Sequence, residues 1–168
     1  MNDSRHYLMA GAMALFVSFG AQAQDKLSKD DQKFIKEAGQ GNATEVEMGK
    51  LAQQNGASEG VKQFGQRLAA DHGKANEELK QIAGKHGVSL AAEPHQKDID
   101  KFSKLQGAQF DKAFADHMVK DHKKDIAKFR TEAKKGKSAD VKTFASNALP
   151  TLEEHLKMAQ GLTGAARK

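Results

Sequence analysis

The sequence predicts an all-α chain: a four-helix bundle made of two helical hairpins joined through a short connecting helix. Three observations predict it. Apolar residues recur at spacings of three and four along most of the chain. Prolines number only 2 in 168 residues. One helix start is written twice, eighty residues apart, as "SEGVKQF" from Ser58 and "SADVKTF" from Ser138. Each copy follows a short Gly/Ser turn, so the helices on either side of it form an antiparallel hairpin. Two hairpins with one apolar stripe per helix can bury those stripes only against each other.

The first 23 residues stand outside that domain. Arg5, the apolar run "LMAGAMALFVSF" and the small-residue site "AQA" read as a secretory signal peptide cleaved after Ala23. The run is too short to span a bilayer, which takes about 20 apolar residues. The expected location is therefore periplasmic or exported, with residues 24–168 forming a single domain and no transmembrane segment in the mature chain.

The first long helix opens at Ser28, an N-cap followed by Asp30 and Asp31, and its stripe is Phe34, Ala38, Gly41, Glu45, Met48 and Ala52. Gly39 and Gly41 should weaken it locally. The second opens at Ser58 and follows Val61, Gly65, Leu68, His72, Ala75, Leu79 and Ala83. A connection of some twenty residues holds a short helix from Pro94, with Ile99, Phe102 and Leu105 on one face. The third long helix runs from about Gln109 to Lys135 through Phe114, Met118, His122, Phe129 and Ala133. The fourth opens at Ser138 and follows Val141, Ala145, Ala148, Leu152, His155, Ala159 and Leu162, with Pro150 expected to kink it.

Each stripe contains one ionisable residue: Glu45, His72, His122 or His155. Burying such a group unsatisfied costs on the order of 2–7 kcal/mol. Counted from the hairpin turns, Glu45 is level with His72 and His122 with His155. At a rise of about 1.5 Å per residue, both pairs fall near mid-height of the bundle. Four donors then converge. Three imidazoles and a carboxylate suit one transition-metal ion (Zn, Cu or Fe), so these four are the candidate metal ligands. The competing readings are a metal-free hydrogen-bonded network, or a stripe rotated so that a residue lies at the rim.

Asp71 and Asp121 precede their histidines by about 100° of helix. They either hydrogen-bond another helix's imidazole or, as surface pairs more commonly do, stay solvated. Asp125, one turn past His122, is a further candidate carboxylate. Met48, Met118 and Met158 lie a turn from the cluster, where core filling is the simpler role than Cu(I) binding. His86, His95 and His117 look like surface residues.

The net charge of +5 is spread along every segment, and with no tryptophan and 1 tyrosine there is no aromatic-basic footprint for nucleic acid. Cysteine is absent, which removes disulfides, thiolate metal sites, thiol catalysis and c-type haem attachment.

"EVEMGKLA", "DHGKANEEL", "GAQFDKAF", the second "DH" at Asp121–His122 and "FASNALPTLEEHL" together resemble the exported bacterial domain-of-unknown-function 4142 family, over residues 28–163. The resemblance implies a ferritin-like four-helix fold and an exported protein, with no activity assigned to the group. Di-iron chemistry on such a fold uses Glu-x-x-His pairs. Here Ala69, Val119 and Leu152 stand three residues before the histidines, so the di-iron pattern is absent. The expectation is a metal-binding bundle serving sequestration, delivery or sensing. The alternatives are a metal-free structural or interaction module in envelope stress, and an oxidoreductase with iron or a b-type haem between His72 and His122.

Overall fold

The computed structural model describes residues 26–165, with side chains to Thr163. The proposed leader and its cleavage point lie outside the described residues. Five helices follow in order: α1 (Lys29–Asn55), α2 (Glu59–Lys85), α3 (Gln96–Phe102), α4 (Gly107–Lys135) and α5 (Ala139–Ala165). The pairs α1–α2 and α4–α5 are the two hairpins, and α1 packs on α4 while α2 packs on α5.

The N-caps sit where the serines are. Ser28 accepts from the Asp31 N–H, and Ser58 accepts from the Val61 N–H. Helix α1 runs unbroken through Gly39 and Gly41. Leu90 of the connection packs into the space at Gly39, where a Cβ would meet its Cδ1 at 2.8 Å and push that side chain aside. Helix α5 likewise continues through Pro150, whose ring lies on the exposed face. The missing N–H there would have served the Ser146 carbonyl.

The two hairpin turns are at opposite ends of the bundle, and each is closed by the other hairpin. Asp111, in the second turn of α4, accepts from the Ala57 and Ser58 N–H groups at 2.9 and 2.8 Å. Asp31, in the first turn of α1, accepts from the Lys137 and Ser138 N–H groups at 2.9 and 3.2 Å. Asp31 and Asp111 are eighty residues apart, like Ser58 and Ser138, so the hairpins are related by an approximate two-fold axis. Because α2 ends at the far end from where α4 begins, the connection must climb the bundle, about 40 Å for helices of this length. Val88 and Leu90 pack on the core along the way, and the His95 N–H reaches the Thr44 hydroxyl at 2.8 Å.

The apolar core is split into two blocks. One, at the α1 N-terminal end, contains Phe34, Ile35, Leu79, Ile126, Phe129, Phe144 and Leu152. The other contains Met48, Phe64, Leu68, Phe102, Phe110, Phe114 and Met118. Between them lies a polar layer.

Candidate metal centre

That layer is Glu45, His72, His122 and His155, each at most 5% exposed, contributed one apiece by α1, α2, α4 and α5. All four expected residues come together at mid-height. Buried apolar side chains one turn away hold the helices in phase, on one side for α1 (Met48) and α2 (Leu68) and on both sides for α4 (Met118, Ile126) and α5 (Leu152, Ala159). The three imidazoles each offer a nitrogen within 4.8 Å of the others. Ring centroids are 5.3–5.8 Å apart, with the rings tilted or edge to face. Glu45 contacts both His72 and His122, so these two do not straddle a planar macrocycle as a haem would require.

Hydrogen bonds on the outer side of each ring decide where its proton sits. His72 Nδ1 faces Asn42 Oδ1 at 2.9 Å, His122 Nδ1 faces the Met118 carbonyl at 3.1 Å, and His155 Nε2 faces Asp71 Oδ2 at 2.9 Å. All three partners are acceptors, so each ring donates outward and keeps a lone pair on its inner nitrogen. Two of those inner nitrogens, His122 Nε2 and His155 Nδ1, are 3.3 Å apart. Two lone pairs at that distance repel unless a cation lies between them.

A proton is a poor candidate for that cation. Burial drives the His72 pKa down to about 4, against the pull of Asp125, Asp71 and Asp121. Burial also lowers His122, opposed by Glu45 and reinforced by the other two histidines, and it lowers His155, reinforced by His72 and opposed by Asp71. The rings are neutral near pH 7, the state a metal requires.

Glu45 borders the three imidazoles beside His72 and His122, and its own carboxylate groups with Asp121 and Asp125. Its Oε2 lies in close contact with His72 Nε2 and 3.6 Å from His122 Nε2. Neither of its oxygens has a hydrogen-bond donor, and His72 Nε2 also lacks a bonded partner. Burial, with the neighbouring Asp121 carboxylate adding to it against His122, raises the Glu45 pKa to about 7. In a tetrahedral site with bonds of about 2.05 Å, donor atoms stand about 3.3–3.4 Å apart. The His122–His155 edge is 3.3 Å and the His122–Glu45 edge 3.6 Å, while Glu45 does not lie within 4.8 Å of all three imidazoles together.

The secondary candidates separate cleanly. Burial disfavours the Asp71 charge, yet hydrogen bonds from Arg67 and His155 prevail and hold its carboxyl below the usual range. Asp121 and Asp125 lie instead on the α1 side of α4, with carboxylate oxygens within 4.8 Å of Glu45's. Burial, then the charges of Asp121 and Glu45, raises Asp125 to about 7. Met48 and Met118 are wholly buried in the apolar block, as core filling predicts, with Met158 half-buried against it. His95 is exposed, but His86 and His117 are half-buried, His117 against the Phe102 ring at 5.1 Å. Asn42 was not foreseen. The one available signal was its position, a turn before Glu45 on the buried face.

A cleft of about 280 Å³ reaches the layer from outside, lined by Asp71, His72 and Ala75 of α2, Asn147 and Thr151 of α5, and Asn42 at its base. Among the described residues, no helix is long and apolar enough to cross a membrane.

No curated protein matches the chain. Among solved structures it is similar to a DUF305 fragment from Deinococcus radiodurans, at 12% identity and a TM-score of 0.73, over 83% of this chain and 99% of that one. At that identity the likeness is one of fold, and the four-helix arrangement is compatible with the ferritin-like superfamily. The family model described as "Domain of unknown function (DUF4142)" matches residues 17–162, nearly the whole bundle and its polar layer, and the chain belongs to that family.

Proposed function

We propose that this protein is an exported metal-binding bundle that holds one transition-metal ion (Zn, Cu or Fe) through His72, His122, His155 and Glu45. The observation that carries the reading is the acceptor that stands outside each imidazole: Asn42 Oδ1, the Met118 carbonyl and Asp71 Oδ2. Each ring spends its N–H on an outer acceptor, which turns three lone pairs inward toward a carboxylate that has no donor of its own. Outer hydrogen bonds of this kind fix the tautomer of metal-binding histidines. Four protein donors leave no coordination position for a substrate in a tetrahedral ion, which favours holding a metal over catalysis at it. Sequestration, delivery or sensing in the periplasm is the role that fits, given a leader that exports the chain.

The test is the metal content of protein purified without a histidine tag, followed by titration of the metal-free form with Zn(II), Cu(II) and Fe(II). We expect about one tightly held ion per chain with a raised melting temperature, since an ion at 100 times its Kd adds about 2.7 kcal/mol. His122→Gln should abolish the rise. If none of the three ions is taken up and none shifts the melting of the wild type, the layer is a metal-free network. In that case, replacing all four residues by apolar ones of similar size should leave the bundle equally or more stable.

A further inference from the structure

Glu45 has two oxygens, and the imidazoles account for only one. Its Oε2 faces His72 and His122, yet both oxygens lack a hydrogen-bond donor although the residue is only 2% exposed. On the α4 side, Glu45 meets Asp121 and Asp125, one turn apart and both half-buried. The three carboxylates offer oxygens that all lie within 4.8 Å of one another. A proton shared between two of them can relieve the contact, but whenever all three are ionised they cannot hydrogen-bond each other and repel unless a cation lies among them. The nearby lysines are not placed to do so. Lys124 and Lys128 act on Asp125 only through space, and Lys128 is engaged by Glu37 at 3.0 Å.

The repeat explains why the acids meet. Asp125 follows Glu45 by eighty residues, the interval that relates Ser138 to Ser58 and Asp111 to Asp31. The approximate two-fold axis therefore brings Glu45 and Asp125 face to face between α1 and α4. Asp121 has Gly41 as its counterpart, so it is an addition made by the second hairpin alone.

We infer that Glu45, Asp121 and Asp125 form a second cation site, made of oxygen donors only, that shares Glu45 with the histidine site. Three carboxylates select a hard divalent cation such as Mn(II) or Mg(II), with water filling the remaining positions through the half-exposed side of Asp121 and Asp125. The bundle then holds two unlike ions, one on nitrogen and one on oxygen, with a carboxylate between them. The inference rests on the proposed histidine site only for the sharing of Glu45.

The experiment loads metal-free protein with Zn(II), confirms uptake by elemental analysis, and follows added Mn(II) by the loss of its free-ion paramagnetic resonance signal. The expected result is one Mn(II) per chain in the wild type and at least a tenfold weaker uptake in the Asp121→Asn, Asp125→Asn double variant, with Zn(II) still bound. These changes conserve shape and side-chain volume, and a circular-dichroism melt confirms that the variant is folded. Zn(II) uptake with no Mn(II) binding, or with equal Mn(II) binding in both proteins, overturns the second site and leaves the first standing. If Zn(II) does not bind, the histidine reading fails by itself, and Mn(II) uptake that depends on Asp121 and Asp125 still supports the oxygen site.

Discussion

Asp71 shows how a half-exposed residue can govern a buried one. It accepts the His155 Nε2–H at 2.9 Å and is held in turn by Arg67 Nε at 2.7 Å, while Arg67 NH2 also reaches Glu154 at 3.0 Å. This chain from surface to core keeps the His155 lone pair on the inner nitrogen. Removing the charge in Asp71→Asn should weaken metal affinity about 10–100-fold with little change in folding, measured by competition with a chelator. Unchanged affinity would reduce Asp71 to a surface ion pair. Much of this layer is legible in the sequence, because a histidine or glutamate inside an apolar stripe violates the pattern and can be counted to a height. Asn42 is not, since an asparagine within a helix has many roles that composition cannot separate. Asp71 is only half legible: its position beside His72 points to surface pairing, and the imidazole it serves belongs to a different helix.

At the scale of elements, the α1–α2 contact depends on small residues. A Cβ on Gly65 would meet Ala52 Cβ and the Gly49 carbonyl, both at 2.6 Å, and one on Gly49 would meet the Gly65 carbonyl at 2.5 Å. Backbone lies against backbone there, with no flexible side chain to yield. Gly65→Ala should therefore destabilise the bundle by about 1–3 kcal/mol, despite its better helix propensity, as read by urea denaturation. Gly84→Ala, with nothing within 4 Å of the added carbon, is the control and should be neutral or stabilising. The starts of α1, α2 and α5 were readable from Ser28, Ser58 and Ser138; α3 begins at Gln96 rather than Pro94 and α4 at Gly107 rather than about Gln109, neither with a side-chain cap to mark it. Gly39 and Pro150 read as weak points, yet both helices run through them, with Leu90 packed at Gly39 and the Pro150 ring on the exposed face. Propensity is local, and the Leu90 side chain that occupies the Gly39 notch arrives from fifty residues away.

Across the whole molecule, a second acid pair joins the hairpins. Glu132 of α4 lies against Asp31 of α1; burial, reinforced by the Asp31 hydrogen bond and charge, raises its pKa to about 7. Protonated, Glu132 donates to a carboxylate that is already closing the α4–α5 turn. A raised carboxyl pKa stabilises the fold fully below the ordinary value of about 4.5 and ceases to do so as pH climbs through about 7. Metal-free protein should thus lose on the order of 2 kcal/mol from this group between those limits. Glu132→Gln keeps a donor toward Asp31, so the difference in stability between variant and wild type should grow with pH over that window. A constant difference in melting temperature from pH 4.5 to 8 would show that Glu132 does not titrate there. How the hairpins stack was not legible from heights alone, since both pairs sit near mid-height either way. The length of the connection held that information, because only a chain that must travel the bundle needs some twenty residues to join two helices.

The crossed aspartates at the two turns have a consequence for how this protein is lost as well as made. Neither hairpin carries the carboxylate that seals its own bend; each borrows it from its neighbour. Prise the halves apart and both bends are left with bare amides at the same instant. Parting the hairpins therefore unseals both ends of the bundle together.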